Sequence, residues 1–464
     1  MRSDKLFVPP VLVGAAGGAA VRVLERRRRR CVAPSSGVCV VAPAARAINE
    51  SEKWQCEEEI PMPTCPGCAC LCEDIEIAGA EIRNVCRKGF GIFRSRQKSR
   101  LSAMVADGVT DVDAAIEKAA EILCEARSPV IYGLDNSTCE AQKLGLELAR
   151  KLNAFVDDTS SVCQGVVLEA IYKGRLPSCT LDAVRDNADL VIFWGADPAS
   201  SHPRHLSKYS FFPRGKKIQR GYEERKAFCI DVRHSPTAEV CKNLVKIPVG
   251  ADTALINALT SIIEGKTPQL PEVDRRAVFE LAAAMRRAEF VTIFTGLGLV
   301  YSLEDVSLLE SLLRTLTERH GCEAYVIPMV GHFNMRGMTQ LLFEETSLPN
   351  KVKFEGGVAR GGASMTDILH EGLADAALII GSDPLSSLPF VAARRLLEMK
   401  TITIDPHVTP TTEISTVRIP CAISGVECGG HAVRMDGVEV TLEKAFDTEF
   451  LSDEEILKRL LDRV

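Results

Sequence analysis

The sequence predicts an α/β protein made of two related doubly wound parallel-sheet units, with a small cysteine-rich domain near the N-terminus. Three observations lead to this fold class. Apolar runs such as "SPVIYGLD" and "EFVTIFTGLG" each reach a glycine and are followed by a segment with helical periodicity. The order of these strand–helix units repeats once along the chain. Five cysteines precede the first unit, between residues 65 and 86.

The internal repeat is clearest at two pairs of matching segments. "ADLVIFWGADP" (188–198) aligns with "ADAALIIGSDP" (374–384), and "AFCIDVRHSPTAE" (227–239) aligns with "TITIDPHVTPTTE" (401–413). Both pairs occur in the same order, which indicates two copies of one unit. Continuous apolar strands such as "LVIFWG" are typical of a parallel sheet that helices cover on both faces.

The first 60 residues differ from the rest of the chain. An apolar run broken by Pro-Pro and Gly-Gly precedes five arginines, whereas a secretory signal places its positive charge first. This stretch is predicted to be a disordered leader or an extension from a misplaced start. The predicted divisions are 1–60 for the leader, 61–105 for the cysteine-rich domain, 106–265 for the first α/β unit and 266–464 for the second.

Composition excludes some classes of function. A net charge of -6 argues against nucleic acid as the main partner, and 5% aromatic residues argue against a base-stacking surface. The seventeen cysteines cluster once and then scatter, whereas disulfide scaffolds are typically short secreted chains. We therefore expect a reducing, cytoplasmic location and no membrane association.

The cysteine cluster has the spacing C-x2-C-x3-C-x13-C, formed by Cys65, Cys68, Cys72 and Cys86, with Cys70 between them. Structural zinc sites usually combine two C-x2-C pairs. Three close cysteines and one distant cysteine favour a [4Fe–4S] cluster, because one loop supplies three ligands and a second segment supplies the fourth. Zinc is the alternative. The predicted cysteine-rich domain is therefore an iron–sulfur domain.

The segment between the cysteines is predicted to be a short β-hairpin. "EDIEIAGAEIRNV" alternates polar and apolar residues around a glycine, which would return Cys86 to the side of Cys72. Lys88 follows two residues after Cys86. It is either a solvated surface lysine or a residue between the cluster and a neighbouring redox group.

The repeated loops after the strands are the predicted ligand sites. Parallel sheets bind ligands beyond the carboxyl ends of their strands, where both Gly-x-Asp-Pro and both Ile-Asp segments fall. Glycine allows close approach, aspartate accepts hydrogen bonds, and threonine with backbone N–H groups holds phosphate. Neither a G-x-G-x-x-G motif nor a P-loop motif is present. The two copies predict two nucleotide-like ligands, or one ligand and one copy that no longer binds a ligand. The alternative is that each loop is only a turn after a strand.

A candidate catalytic cysteine lies in "FVDDTSSVCQGVV". Cys163 follows a short apolar strand at the start of a predicted helix, where the helix dipole favours the thiolate. The alternative is a buried cysteine on a helix face. The corresponding position in the second half is "YVIPMVGHFNMRG", which contains His332 and Arg336. Both segments follow a strand, so we expect both to face one central cleft.

These segments together resemble the molybdenum/tungsten bis-pterin oxidoreductase superfamily and, within it, the B-subunit family of formylmethanofuran dehydrogenases. The resemblance runs from about Cys65 to Val464. It depends on "CPGC…C…CRKG", "DDTSSVCQG", "FWGADPASSHPRH", "IDVRHSPTAE", "GHFNMRG", "GSDP" and "IDPHVTPTTE", in that order.

The resemblance implies a function and a set of site residues. The activity would be reduction of CO2 to formate, or the reverse, at tungsten or molybdenum held by bis-molybdopterin guanine dinucleotide and fed by the [4Fe–4S] cluster. Cys163 would bind the metal, and the four cluster cysteines would bind iron. Catalysis would involve Cys163, Gln164, His332 and Arg336. The cofactor-binding residues would be Lys88, Gly195, Asp197, Pro198, His202, Arg204, Asp231, Arg233, Thr237, Gly296, Gly298, Gly381, Asp383, Asp405, His407 and Thr409.

The resemblance also implies partners. Formate would pass to an amidohydrolase subunit that joins it to methanofuran, and ferredoxin-like subunits would deliver electrons. The chain ends in the amphipathic segment "LSDEEILKRLLDRV", so we expect the C-terminal β-barrel domain of full-length relatives to be absent here and supplied as a separate subunit.

Three departures from the family pattern keep other functions open. Gln164 stands where a histidine usually follows the metal-binding cysteine, Val330 stands where an arginine usually precedes Gly-His, and the N-terminal extension is long. The alternatives are another bis-pterin oxidoreductase, similar to formate dehydrogenase, and a non-redox scaffold subunit of a formyltransferase/hydrolase complex. The sequence does not distinguish tungsten from molybdenum.

Overall fold

The protein is described by a computed structural model that covers residues 62–464. The predicted leader, 1–60, lies outside the described residues. Residues 62–464 belong to one compact unit. Among them, no helix is both long enough and apolar enough to cross a membrane.

The strands are short, and several of them follow the predicted apolar runs. In chain order they are β1 (Glu76–Ala78), β2 (Glu81–Arg83), β3 (Met104–Val105), β4 (Gly108–Val109), β5 (Pro129–Gly133), β6 (Phe155–Asp157), β7 (Leu190–Trp194), β8 (Lys226–Asp231), β9 (Leu244–Lys246), β10 (Phe290–Thr295), β11 (Glu323–Pro328), β12 (Val352–Glu355), β13 (Val358–Gly361), β14 (Ala376–Ile380), β15 (Lys400–Asp405), β16 (Val417–Pro420), β17 (Gly430–Val433) and β18 (Glu439–Leu442).

The helices alternate with the strands. In chain order the α-helices are α1 (Arg87–Ser95), α2 (Val112–Glu125), α3 (Cys139–Leu152), α4 (Gly165–Tyr172), α5 (Leu181–Asn187), α6 (Pro198–Ser201), α7 (Pro236–Cys241), α8 (Asp252–Ile263), α9 (Arg275–Met285), α10 (Leu297–Ser302), α11 (Val306–His320), α12 (Met335–Thr346), α13 (Met365–Glu371), α14 (Pro384–Ser387), α15 (Phe390–Ala393), α16 (Pro410–Ile414) and α17 (Asp453–Leu461).

Two large sheets confirm the predicted fold class. One has five parallel strands in the order β11-β10-β7-β8-β9. The other has nine strands, in the order β13-β12-β6-β5-β14-β15-β16-β3-β4, and its central five, β6 to β16, are parallel. Every residue of β7 and β14 is buried, as expected for strands with helices on both faces.

The two sequence copies exchange strands. The first copy contributes β5 to β9, and the equivalent strands of the second copy are β10, β11, β14, β15 and β16 in that order. The five-stranded sheet joins β10 and β11 of the second copy to β7, β8 and β9 of the first. The centre of the nine-stranded sheet joins β5 and β6 of the first copy to β14, β15 and β16 of the second. The predicted boundary at 265/266 therefore does not separate two sheets. The five-stranded sheet comes from the continuous stretch 190–328, and the stretches on either side form the nine-stranded sheet. A repeat shows which strands are equivalent, but it does not determine which copy supplies the neighbour of each strand.

The cysteine segment has the predicted hairpin. Strands β1 and β2 pair antiparallel across a turn at Gly79, whose φ of +58° suits glycine. Cys86 then caps α1, because its sulfur accepts a hydrogen bond from the N–H of Gly89. The hairpin thus returns the fourth cysteine to the first three through a turn and a helix start.

Close backbone contact at Gly195 gives a testable consequence for stability. Gly195 has φ of +57°, and an added Cβ would lie 2.3 Å from the backbone nitrogen of Leu299. We expect Gly195→Ala to lower the free energy of unfolding, measured in urea, by about 2–4 kcal/mol, because left-handed strain and overpacking add. Gly174→Ala is the matched control, since Gly174 has φ of +67° and open space around it. It should lose only about 1–2 kcal/mol, and equal losses in the two variants would contradict the argument.

Candidate functional site

The two Gly-x-Asp-Pro loops have the same geometry. Gly195 and Gly381 both have a positive φ, +57° and +55°. Asp197 Oδ1 accepts hydrogen bonds from the N–H and hydroxyl of Thr237, at 3.1 and 2.6 Å. Asp383 Oδ1 accepts the same pair of bonds from Thr411, at 3.1 and 2.5 Å. These aspartates therefore join each loop to the helix after the next strand.

This geometry shows that Thr411, and not the predicted Thr409, is the structural equivalent of Thr237. Thr411 is the partner of Asp383, whereas Thr409 caps α16 through its side chain. The alignment of "SPTAE" with "TPTTE" already pairs Thr237 with Thr411, so the sequence contained the signal. Asp231 and Asp405 also match, since each accepts a bond from the backbone N–H two residues later, that of Arg233 at 3.1 Å and that of His407 at 2.9 Å.

Two predicted cofactor residues of the first copy have structural partners instead. The His202 ring is buried, and its nitrogens contact the Ser201 hydroxyl and the Val330 carbonyl, both at 2.8 Å. Arg204 forms an ion pair with Asp74 at 2.6 Å, so it anchors the cysteine hairpin to the first α/β unit. The side chains of His202 and Arg204 therefore already have hydrogen-bond or ion-pair partners within the protein.

The other first-copy residues shape the loop. Pro198 occupies the first turn of α6, and Arg233 lies 3.4 Å from the Asp197 carboxylate with most of its side chain exposed. Gly296 and Gly298 pack directly on Gly195, where an added Cβ would come within 2.0 and 2.9 Å of its backbone. The glycines permit this contact between the ends of β7 and β10.

A cavity of about 330 Å³ connects the second copy to the cysteine loop. Gly381 and Asp405 line it on one side, and Lys88 and His332 line it elsewhere. Burial raises the pKa of Asp405 to about 7. Other lining residues include Pro66, Gly67, Asn136, His407, Cys421, Ser424 and Asp453. The last three come from the C-terminal segment, which carried no repeat or motif that could have predicted them.

The four spaced cysteines are free thiols on one loop and the following helix start. Cys65 N–H bonds to the Cys72 carbonyl at 2.9 Å, which closes the loop. Burial raises the pKa of Cys65, and the nearby Cys72, Cys68 and Cys86 raise it further. A hydrogen bond with Cys70 lowers the pKa of Cys68 to about 7, and the charge of Lys88 acts in the same direction.

The donor set fits a cluster of soft metal ions. Backbone N–H groups point at two of the sulfurs: Gly67 donates to Cys65 and Gly89 donates to Cys86, both at 3.4 Å. Such bonds stabilise thiolate ligands. As the side chains stand, no group of three or more His, Cys, Asp or Glu side chains within residues 62–464 surrounds a metal position, and Cys68 bonds to Cys70 instead.

Cys163 lies one residue before Gln164, the N-cap of α4, as predicted. Its N–H bonds to the Ser160 carbonyl at 3.0 Å, and its side chain is half-buried. Burial raises the pKa of Cys163 to about 12, and the charges of Asp158 and Asp135 add to the effect. The predicted thiolate is therefore disfavoured in the chain alone, and a bound cation would be needed to stabilise it.

His332 forms a hydrogen-bonded network with residues from two other segments. Its Nδ1 lies 2.7 Å from Asp135 Oδ2 and 3.0 Å from the hydroxyl of Thr159, which also donates to Asp135. Asp135 follows β5 and Thr159 follows β6, so the network gathers at the carboxyl ends of adjacent strands. The sequence analysis identified His332 but missed Asp135, because "GLDNST" is typical of an ordinary turn before a helix.

The chain is similar over most of its length to curated proteins from methanogens. It is 33% identical over 428 residues to the B subunit of tungsten-containing formylmethanofuran dehydrogenase 2 from Methanocaldococcus jannaschii, covering 86% of this chain and 97% of the relative. The chain belongs to the formylmethanofuran dehydrogenase B-subunit family. No protein-family model matches it.

Two solved structures share the fold of this formylmethanofuran dehydrogenase family member. The formyltransferase/hydrolase complex FhcABCD of Methylorubrum extorquens, in complex with methylofuran, contains a chain that matches with a TM-score of 0.63 and 24% identity, over 78% of this chain and 98% of that chain. Acetylene hydratase of Pelobacter acetylenicus matches with a TM-score of 0.62 and 12% identity, over 86% and 68%. Both likenesses support the α/β architecture with parallel sheets.

The two residues that depart from the family pattern are both buried. The Gln164 amide donates to the Thr295 carbonyl and accepts from the Thr295 hydroxyl, each at 3.1 Å. Gln164 does not line the cavity, and its two hydrogen bonds link the start of α4 to the end of β10. Val330 packs in the core, and its carbonyl accepts the bond from His202.

Arg336 is buried in the first turn of α12. Its guanidinium carbon lies 4.7 Å from the centre of the Tyr172 ring. Within the described part of the chain, its Nε and Nη1 have no hydrogen-bond partner. A buried cation without a carboxylate partner is costly unless an anion compensates its charge. Arg336 is thus a member of the predicted catalytic set whose buried N–H groups are available to an anion.

Proposed function

We propose that this chain is the redox-active subunit of a formylmethanofuran dehydrogenase, which reduces CO2 to formate or catalyses the reverse reaction. The observation that carries the proposal is the shared cavity. Its walls come from the cysteine loop, from Lys88, from His332 and from the second-copy loops. An electron carrier, a nucleotide-like cofactor and a titratable side chain would therefore meet around one cavity.

The residues present fit the cofactors that the family implies. Cys65, Cys68, Cys72 and Cys86 would hold a [4Fe–4S] cluster, and Cys163 would bind tungsten or molybdenum. Gly381, Asp405 and His407 would hold one pterin guanine dinucleotide, and the matching first-copy loop would hold the other. When bound, the pterin-metal centre supplies two-electron redox chemistry, while the protein positions it and controls its surroundings.

Side chains of this protein would set the charge around the bound cofactors. The ammonium group of Lys88 would lie between the cluster and the pterin, where a positive charge stabilises the reduced forms of both. The partners would be an amidohydrolase subunit, a β-barrel subunit that covers the pterins, and ferredoxin-like subunits, in the cytoplasm.

A scaffold role is the second candidate, and one observation favours it. Gln164 and Val330 use the two family positions for packing and internal hydrogen bonds, so neither offers a polar group to a substrate. In that case the chain would keep the fold for its partner subunits without redox chemistry. A formate dehydrogenase-like enzyme with another small substrate is the remaining alternative.

The complex purified anaerobically with its partner subunits tests the proposal. We expect about four iron atoms from this chain's cysteines, stoichiometric tungsten or molybdenum, and reduction of CO2 that yields formylmethanofuran when methanofuran is present. Formate turnover at a rate that does not depend on methanofuran would support the formate dehydrogenase-like alternative. An intact complex with neither tungsten nor molybdenum would support the scaffold and overturn the redox proposal.

A further inference from the structure

An imidazole and a buried carboxylate meet at the wall of the cavity. His332 follows β11 and lines the cavity, with 39% of its side-chain surface exposed. Asp135 follows β5 and is fully buried behind it. The backbone reinforces the pair, because Asn334 N–H donates to the Asp135 carbonyl at 3.0 Å. Two chain segments are therefore held in register at this point.

The hydrogen bonds fix the orientation of the imidazole. Both contacts of the ring in the described structure, to Asp135 and to Thr159, involve Nδ1. A carboxylate can only accept, so Nδ1 carries a proton toward Asp135. Nε2 is then the ring nitrogen left for the cavity. This arrangement resembles other carboxylate–imidazole pairs, in which the carboxylate sets the tautomer and the second nitrogen is free to react.

The charges around the pair favour a protonated ring. Asp135 accepts hydrogen bonds through Oδ2, while its Oδ1 is buried without a partner in the described structure. A buried carboxylate in this state requires a nearby positive charge. The charge of Asp135 raises the pKa of His332, and its hydrogen bond acts in the same direction, while burial and the charge of Lys88 on α1 lower it. The net shift of the His332 pKa is upward. Asp158 also faces Asp135, and burial raises the pKa of Asp158 well above its usual range, so it adds little negative charge.

We propose that Asp135 is a positioning residue that orients His332 and keeps it protonated, so that His332 Nε2–H delivers the proton consumed when CO2 is reduced in this cavity. This inference rests on the proposed function. The reaction is CO2 + 2e⁻ + H⁺ → HCOO⁻. One C–H bond forms, and one C–O π bond breaks with its electron pair left on oxygen. The two electrons come from two reduced iron–sulfur carriers, each of which gives up one electron. The proton comes from the imidazolium, and solvent returns a proton to the imidazole.

Histidine titration tests the pairing without any enzyme assay. The chain has eight histidines, so ¹⁵N-histidine labelling of the full chain gives few signals, and His332→Gln identifies the one that belongs to His332. In Asp135→Asn, which keeps the shape and removes the charge, we expect the His332 midpoint to move to lower pH. The control is Glu140→Gln, because Glu140 pairs with the exposed His431 at 2.5 Å. It should shift only the His431 signal.

The same pair makes stability depend on pH in a defined direction. The folded chain binds the His332 proton more tightly than the unfolded chain does, because the pKa of His332 is raised above 6.5. The contribution is therefore complete below pH 6.5 and is lost as pH rises through the raised pKa. Asp135→Asn should remove this slope in a series of unfolding measurements between pH 6 and pH 9.

Activity of the complex then separates the possible outcomes. We expect Asp135→Asn to lower kcat by about tenfold or more with little change in KM, because proton transfer contributes factors of this size and larger. An unchanged His332 midpoint, or a lowered midpoint with an unchanged kcat, would overturn the inference. A wild-type complex without CO2 or formate activity, but with the Asp135-dependent midpoint, would instead overturn the proposed function and with it the proton-transfer role.

Discussion

Replacing Cys163 with alanine should remove tungsten or molybdenum from the complex and lower the rate of CO2 reduction by more than about 100-fold. Even changes to residues that only contact the metal ligands reduce affinity or activity by about 10–100-fold, so loss of a direct ligand should exceed that range. Burial raises the pKa of Cys163 to about 12, so a bound cation would be needed to stabilise its thiolate at neutral pH. Elemental analysis and the CO2 assay measure the two effects on one preparation.

Cys179→Ala is the matched control for this experiment. Cys179 is also half-buried, and burial raises its pKa to about 12 as well, but it precedes α5 rather than α4. Neither cysteine lines the cavity, so the two variants differ only in the segment that carries the thiol. It should retain full metal content and activity. Equal losses in the two variants would mean that any buried cysteine is needed for folding, and a Cys163→Ala complex with normal metal content would exclude Cys163 as the ligand.

The second large effect is expected at Gly89, although it is not a ligand. An added Cβ would lie 2.5 Å from Cys65 Sγ and 2.8 Å from Val85 Cγ2. The Cys65 sulfur cannot move away without leaving its place among the proposed iron ligands. Overpacking by Gly89→Ala should cost about 1–3 kcal/mol, which corresponds to roughly tenfold weaker retention of iron. Iron content during dialysis against a chelator measures the loss.

Gly91→Ala gives the opposite expectation on the same helix. Gly91 lies in α1 with no atom within 4 Å of an added Cβ, and alanine is about 1 kcal/mol better than glycine in a helix interior. Gly91→Ala should therefore leave iron content unchanged and stabilise the chain slightly. If both variants lose iron alike, α1 itself is the sensitive element and close packing at Cys65 is not the cause.

Much of the fold could be predicted because local patterns determine it. Apolar runs ending in glycine marked β7 and β14, and the alternation around Gly79 marked the cysteine hairpin. Strand exchange between the copies could not be predicted, since equivalent strands compete for the same position and only packing of the whole molecule selects one. The repeat predicts which strands are equivalent, but it does not predict how they pair.

The candidate site, like the fold, could be predicted only in part from the sequence. Cys163, His332 and the repeated loops were found from their position after strands. The roles of Gln164, His202 and Arg204 were not, because their partners Thr295, Val330 and Asp74 lie far away in sequence. Asp135 was missed for the same reason, since its importance comes from an imidazole about two hundred residues later.

Strand exchange also dictates the order in which the chain can be completed on the ribosome. The five-stranded sheet can assemble as soon as the stretch 190–328 has emerged, but Pro129 pairs with Ala376. At roughly 5–20 residues per second, β5 waits about 10–50 s for its neighbour β14. During that interval the backbone N–H and C=O groups on one edge of β5 lack the strand that pairs with them in the final sheet. The segment that carries Asp135 is thus among the first to be synthesised and among the last to reach its final environment.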